Sequence, residues 1–551
     1  MSHRGPVLAL LFGLSWACGG CAKRSGAGMA SGEAPKPTWV DVRSAGAVGD
    51  GVADDTGAIQ TAIGSLPASG GTVHFPAGIY LVRPNEIVVA VSGVRLEGAP
   101  GSTIRAKPGA WQSAKLIRVE GTAEKHVADV TITGLDFDGN QERQDPTRTT
   151  PAFLLHLQNA DRVVISKNTF RQAPGDAIGI FPRTTVCHQI TIHQNRIETC
   201  LRNGITVAAG EGIDIISNSV LGFNTVGIDL APEGTEPCRF IVVQANVIRP
   251  SPELLSPRNP DRPCGISLES NGAPDDAHSN VRVMGNNLQG YADGALRYPV
   301  VGIYLQNFTQ STIAFNQVYD TRQGISAFAS GGPAAIGASG EITGNQVRGS
   351  IGTGITVQSN MTVSGNTVEE GQDAGILLES INNLCIGNIC RRNGRGASST
   401  ERWGIWVASG PNLVQGNQCV DDQKVKTQEY GIYLEDGVDG ATVEFNRLDG
   451  NLLGGIRLPS QGQNDIRLNS GHKAQSSGTA RIDPGRVSTT VLHGLDSIPE
   501  PQEISVLALT EPSQPPGTLS VSEITAHSFT VSVERDPGES GLDFAWEVNP
   551  R

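Results

Sequence analysis

Twelve asparagines hold the same place in a short frame along this chain: an apolar residue, two others, Asn, one other, then an apolar residue. They are Asn168, Asn195, Asn218, Asn246, Asn286, Asn316, Asn345, Asn366, Asn388, Asn417, Asn446 and Asn469. Successive members lie 21 to 30 residues apart, with one interval of 40 between Asn246 and Asn286. Three residues earlier the side chain is always apolar, from Ile165 and Ile192 to Val443 and Ile466; two residues later only Gly471 departs from an apolar or cysteine side chain. A Gly-Ile pair opens an alternating segment in most intervals, among them Gly204-Ile205, Gly302-Ile303, Gly404-Ile405 and Gly455-Ile456. Segments that return to one place at such a period pair parallel with the next turn, about 4.8 Å away, and bury their apolar side. The frame therefore predicts an all-β chain, a right-handed parallel β-helix whose coils hold three strands each. The asparagine amides would then stack along the axis and satisfy a sharp turn. Cys390 and Cys419 share one frame position and are expected to stack inward as free thiols.

A chain of 551 residues is long for one globular core but suits a solenoid that grows in one direction. Its 68 glycines favour tight turns over helical packing. The net charge of −13 argues against a nucleic-acid partner. An anionic polymer would need local Arg, Lys or a bridging cation. At the start, His3 and Arg4 precede the apolar run Val7 to Leu14, which is too short to span a bilayer. Ser15-Trp16-Ala17-Cys18 follows, then Cys21, so residues 1–21 read as an export signal with Cys18 or Cys21 as the lipidation candidate, simple cleavage being the alternative. Residues 22–38 form a linker. The expected location is secreted or in the cell envelope, with membrane attachment through an N-terminal lipid where Cys18 or Cys21 carries one.

Val40-Asp41-Val42-Arg43, Gly46 to Thr56, Gly70-Gly71-Thr72-Val73 and Phe75 to Tyr80 form a signature that resembles the start of pectate lyase superfamily proteins. With the coils behind it the resemblance covers residues 39–475. It implies the β-helix strongly and the activity weakly, because lyases, hydrolases, epimerases and phage tailspikes share it. Asp54, Asp55 and Thr56 are expected to cap a helix whose Ile59, Ala62, Ile63 and Leu66 share one face and close the end of the core. Residues 476–486 read as a linker, and alternating segments within 487–551 as a small β-sandwich.

In proteins of this kind the substrate groove lies over the sheet that the Gly-Ile segments form here. Alternation points one stripe outward: His156, Phe181, Thr206, Asp229, Ser267 with Glu269, Tyr304 with Gln306, Ser326, Thr356 with Gln358, Glu379, Trp406, Tyr433 with Glu435, and Arg457. Carboxylates, amides and flat aromatics in a row suit a sugar chain, so His156, Tyr304, Glu379, Trp406, Tyr433 and Glu435 are the substrate-binding candidates. Asp176 matches the first acidic residue of the polygalacturonases, but Arg202-Asn203 stands where they carry paired Asp. Phe181-Pro182-Arg183 stands where mannuronan epimerases carry Asp-Pro-His. Elimination across a uronate needs its carboxylate neutralised, by calcium or Arg, and a base. Asp176, Arg183, Arg202 and Asp229 are candidates for those roles. Asp229 with Glu269 is a candidate carboxylate pair for hydrolysis. The resulting expectation is a polysaccharide partner, with a lyase for uronate polymers first. A glycoside hydrolase or a glycan-binding adhesin is the alternative, calcium is the one candidate cofactor, and the metal ligands are open.

Overall fold

The computed structural model describes residues 36–548, apart from 110–113, 145–151, 183–184, 233–237, 252–263, 270–277, 291–299, 329–338, 359, 460–461, 473–475, 494, 496–497 and 526–527. The candidate export signal lies outside the described residues. Three long parallel sheets run along the coils. The Gly-Ile sheet has 14 strands, from Val88–Val89 to Gly454–Arg457, and the sheet after the asparagines also has 14, from Asp50–Asp54 to Gln418–Val420. The sheet before the asparagines has 19, from Trp39–Asp41 to Asp465–Arg467. Register is kept from coil to coil, so Ile303, Ile325, Ile355, Ile376 and Ile405 stack in one column, each fully buried. The chain is a right-handed parallel β-helix.

The asparagine series forms an unbroken ladder. Each Nδ2 donates to the next asparagine's Oδ1 at 2.9–3.1 Å, from Asn168 through to Asn469. From Asn168 on, the same Nδ2 also donates to the carbonyl of the apolar or cysteine residue one coil back, as Asn316 does to Val283 at 2.8 Å. The residue just before each asparagine is left-handed, with φ between 55° and 65°. Gly285, Gly344, Gly365, Gly387 and Gly416 fill that position in five coils. Lys167, Gln194 and Phe315 show that the ladder holds other residues there too, despite their strain.

The glycine of the Gly-Ile pair answers to a different constraint. A Cβ at Gly302 would lie 2.4 Å from both the Gly324 carbonyl oxygen and Val318 Cγ1. The same closeness recurs at Gly204, Gly324, Gly354 and Gly404. At this corner the Gly-Ile backbone passes directly over the inward side chain that follows each asparagine, and only hydrogen fits.

The helix Thr56–Ser65 buries Ile59, Ala62 and Ile63 in the core of the solenoid, which closes that end. Its cap differs from expectation. Asp55 stands at the N-cap but makes no capping bond there; its carboxylate accepts from the backbone N–H of Val48 at 2.6 Å and of Gly49 at 3.1 Å. Asp54 instead accepts from Thr56, and Asp50 from the N–H groups of Val52 and Ala53. The acidic cluster fixes turns, because short carboxylates bond nearby backbone most readily.

The C-terminal module starts earlier than the composition suggests. Ser476–Ile482, within the expected linker 476–486, is a strand paired antiparallel with Leu542–Val548. Two three-stranded sheets enclose Phe529, Val531, Phe544 and Trp546. Serine and glycine made that strand look like a linker, yet a strand pinned by a long apolar partner needs little apolar content of its own. Cys390 and Cys419 stack in register, fully buried, as free thiols, and burial pushes the Cys390 thiol far above its ordinary value. Among the described residues no helix is long and apolar enough to cross a membrane.

Candidate functional site on the Gly-Ile sheet

Asp176, Arg202 and Asp229 come together near the first full coils, as expected, but in a closed network. Asp176 is fully buried. Its Oδ1 accepts from Arg202 Nε at 2.6 Å and from the Asn203 N–H at 3.1 Å. Its Oδ2 accepts from Arg202 Nη2 at 2.6 Å and from the Thr206 hydroxyl at 2.7 Å. Asn203 Nδ2 passes the network on to Asp229 Oδ2 at 2.9 Å. A guanidinium gripped in this two-pronged way stays a cation, and the carboxylate it grips is spent. Of the expected base and cation site, Asp176 and Arg202 are thus engaged with each other, which leaves Arg202 a fixed cation rather than a base. Arg183 lies outside the described residues. Asp229 is half-buried, in register with Thr206 and Ser267, and Glu269 follows on the same face two residues beyond Ser267.

His156 also departs from expectation. It points outward from the sheet, yet it is 3% exposed, because the Phe181 ring stacks on it at 5.7 Å and Phe153 packs against it at 5.1 Å. It is thus withdrawn from substrate contact. The register places Gly179, not Phe181, beside His156, and Leu377, not Glu379, beside Trp406; Phe181 and Glu379 sit two residues further along the same face. Burial, helped by Lys115 and Arg118, pushes the His156 imidazolium down to about 3, and burial does the same at His278. Folded protein keeps both rings neutral while the unfolded chain protonates near 6.5. Stability should therefore be full above about pH 6.5 and fall as pH drops towards 3, by about 1.4 kcal/mol per pH unit per histidine. Urea titrations between pH 7.5 and 4.5 measure this, and His156→Leu should flatten the slope. An unchanged slope in that variant would show that His156 is not kept neutral by the fold.

Further along, the same face carries an aromatic platform. Trp406 and Tyr433 are register neighbours, as the sequence indicates. Trp403 joins them: its ring lies 3.7 Å from Tyr433, nearly parallel at 13°, and edge-on to Trp406 at 4.9 Å. Tyr430 packs edge-on to Tyr433, and the Arg457 guanidinium sits 4.9 Å above that ring. Trp406 Nε1 donates to Glu435 Oε2 at 3.1 Å, and Gln358 meets Glu379 at 3.4 Å. Glu401 is half-buried just before Trp403, and burial first, then the charges of Asp373 and Glu435, hold its carboxyl above the ordinary range. Trp403 and Glu401 were missed from sequence. The signal for Trp403 was a second aromatic three residues before the outward one in adjacent coils, Trp403 with Trp406 and Tyr430 with Tyr433. Tyr304 is half-buried against Phe328 and a small outer apolar cluster of Val226, Cys264 and Val301.

A groove of about 820 Å³ lies elsewhere, over the sheet after the asparagines, between Arg249, Tyr319, Arg348 and Arg395. Two of its arginines are already engaged: Arg348 and Arg395 both meet Glu370, at 2.9 and 3.2 Å.

The coils, ladder and aromatic outer face define a polar-faced parallel β-helix protein. Residues 39–226 match the family model described as rhamnogalacturonase A/epimerase, pectate lyase-like, and residues 264–470 match the right handed beta helix region, so the chain is a pectate lyase-like, right-handed parallel β-helix protein. Mannuronan C5-epimerase AlgE1 of Azotobacter vinelandii is 35% identical over 109 residues, 18% of this chain and 8% of that protein. Alginate lyase 7 of the same organism is 33% identical over 112 residues, 19% and 13% of the two chains. The chain thus spans a small part of these curated relatives. Among solved structures, the tailspike of E. coli bacteriophage HK620, in complex with a hexasaccharide, is 13% identical, covers 93% of each chain and gives a TM-score of 0.53. The bacteriophage Phi29 gene product 12 fragment is 15% identical, covers 78% of this chain and 73% of its own, and gives 0.57.

Proposed function

We propose that this protein is an exported enzyme acting on uronate-containing polysaccharide, which it holds along the outer face of the Gly-Ile sheet. The observation that carries the reading is the platform of Trp403, Trp406 and Tyr433 beside Glu401 and Glu435. Trp406, half-buried and backed by the stacked Trp403 and Tyr433 rings, offers a flat face to a pyranose ring, and the carboxylates accept from its hydroxyls. A carboxyl held above the ordinary range by burial and neighbouring charge gives up its proton less readily than a free one, which suits it to protonate a departing glycosidic oxygen. Glu401 fits that role. Uronate as substrate class is supported by the segments similar to mannuronan epimerases and an alginate lyase. Elimination is the expected chemistry, because the uronate carboxylate acidifies the proton to be removed, and Glu435 beside Glu401 is the carboxylate that would take it. Hydrolysis is the second reading, favoured by Glu435 standing close enough to Glu401 to raise its carboxyl. A calcium ion would serve elimination by neutralising the uronate carboxylate.

The test is incubation with alginates, pectins and glycosaminoglycans, with and without added calcium. Ultraviolet absorbance reports unsaturated products, and reducing ends formed without such absorbance report hydrolysis. Glu401→Gln should lower turnover by about 10² or more while binding stays. Trp406→Ala should weaken binding by about tenfold. Wild-type turnover should fall as pH rises past the raised Glu401 value, since the acid form is lost. Full turnover in Glu401→Gln would remove the assignment, and glycan binding without any cleavage would make the protein a glycan-binding adhesin.

A further inference from the structure

We propose that His126, Asp161 and His188 form a site for a divalent transition metal, zinc in preference, on the sheet before the asparagines. The three residues come from three successive coils. Asp161 and His188 are register partners, and His126 precedes the strand Val127–Thr133 that pairs with the Asp161 strand. Each side chain is partly exposed, 16% for His126, 22% for Asp161 and 43% for His188, with His188 the most open to solvent. The donor atoms all lie within 4.8 Å of one another. His126 Nδ1 is 2.9 Å from Asp161 Oδ2, and His188 Nδ1 is 3.0 Å from Asp161 Oδ1.

The hydrogen bonds around His126 set its ring. Its Nε2 meets Thr185 Oγ1 at 2.5 Å, and the Thr185 hydroxyl donates to Asn159 Oδ1 at 3.3 Å. With that hydroxyl proton committed, Thr185 accepts from the ring, so the Nε2–H donates and Nδ1 of the neutral ring holds a bare lone pair. This Nδ1 atom is buried and makes no hydrogen bond of acceptable geometry, although it faces a carboxylate oxygen at 2.9 Å. Two lone pairs so placed repel unless a proton or a metal ion lies between them. A metal ion answers that need, and Thr185 with Asn159 is the outer support that a ligating imidazole uses.

The donor set decides the ion. Calcium and magnesium take all-oxygen shells, whereas two imidazoles and one carboxylate suit zinc and its first-row neighbours. Zinc with donors at about 2.0–2.2 Å needs them roughly 3.3 Å apart, a small spreading of the two His–Asp contacts with the two histidine nitrogens, now within 4.8 Å, brought to the same spacing, and leaves a fourth position for water. Bound there, the ion would pin three coils together. It lies on a different sheet from the aromatic platform, and does not depend on the reading of that platform.

Full-length protein stripped with a chelator is titrated with zinc, cobalt or calcium chloride at pH 7.5 by calorimetry, and its melting is followed. One equivalent of zinc should bind and raise Tm, cobalt should give the visible bands of a nitrogen–oxygen site, and calcium should do neither. His188→Gln, at the most exposed ligand, and His126→Gln should each weaken zinc binding at least tenfold while circular dichroism stays native. Absence of a zinc-dependent Tm shift, or equal zinc affinity in His188→Gln, would overturn the proposal and leave His126 as a hydrogen-bond partner of Asp161. Thiolate–cobalt charge-transfer bands would also overturn it, by placing the metal on cysteine.

Discussion

Asn316→Ala is expected to lose roughly 3–6 kcal/mol of stability, the sum of several buried groups left without partners. Asn316 is fully buried in the middle of the ladder. Its Nδ2 donates to Val283 O at 2.8 Å and Asn345 Oδ1 at 3.0 Å, and its Oδ1 accepts from the N–H and Nδ2 of Asn286 at 3.0 and 2.9 Å. Alanine deletes all four bonds and admits no water into the turn. Asn469→Ala, at the half-exposed end of the ladder, should cost less than about 1.5 kcal/mol, because solvent replaces what is lost. Because solenoids open locally, hydrogen exchange across residues 283–345 should be read beside the urea midpoint. Equal losses in the two variants would mean that the ladder contributes no more inside than at its end.

Gly302→Ala is the second large effect, about 3 kcal/mol or more. The added methyl meets the Gly324 carbonyl oxygen, and that oxygen is held by the Ile303 N–H at 2.9 Å, so relief breaks a ladder bond or moves Val318. Gly387→Ala makes the control. Its φ of 64° carries a left-handed cost of about 1–2 kcal/mol, but a Cβ there meets nothing within 4 Å. Similar melting of the two variants would refute the close-approach argument for the Gly-Ile column.

The asparagine frame and the Gly-Ile pairs were legible because each is a short-range pattern repeated in almost every coil. A tight turn needs its buried amide in each coil, so the need is written into the sequence again and again. Cys390 and Cys419 were placed correctly for the same reason: frame position alone fixes which way they point. The Trp406 and Tyr433 neighbourhood followed from alternation. The cap at Asp55 did not, since a carboxylate one residue from a helix start can turn either to the helix or to the preceding loop, and local spacing suits both.

What the sequence determined by itself is the coil: its period, its apolar columns, its ladder and the face each strand residue presents. Only the tertiary structure decided what covers that face. Asp176 is enclosed by Arg202 from the next coil, His156 lies beneath Phe181, and Trp403 stacks on Tyr433. Likewise His126, Asp161 and His188 meet from three coils. The physical reason is that strand positions repeat while the turns between them vary in length without pattern. Contacts across coils on the outer face depend on where those turns bring the next side chain, and no local period encodes that.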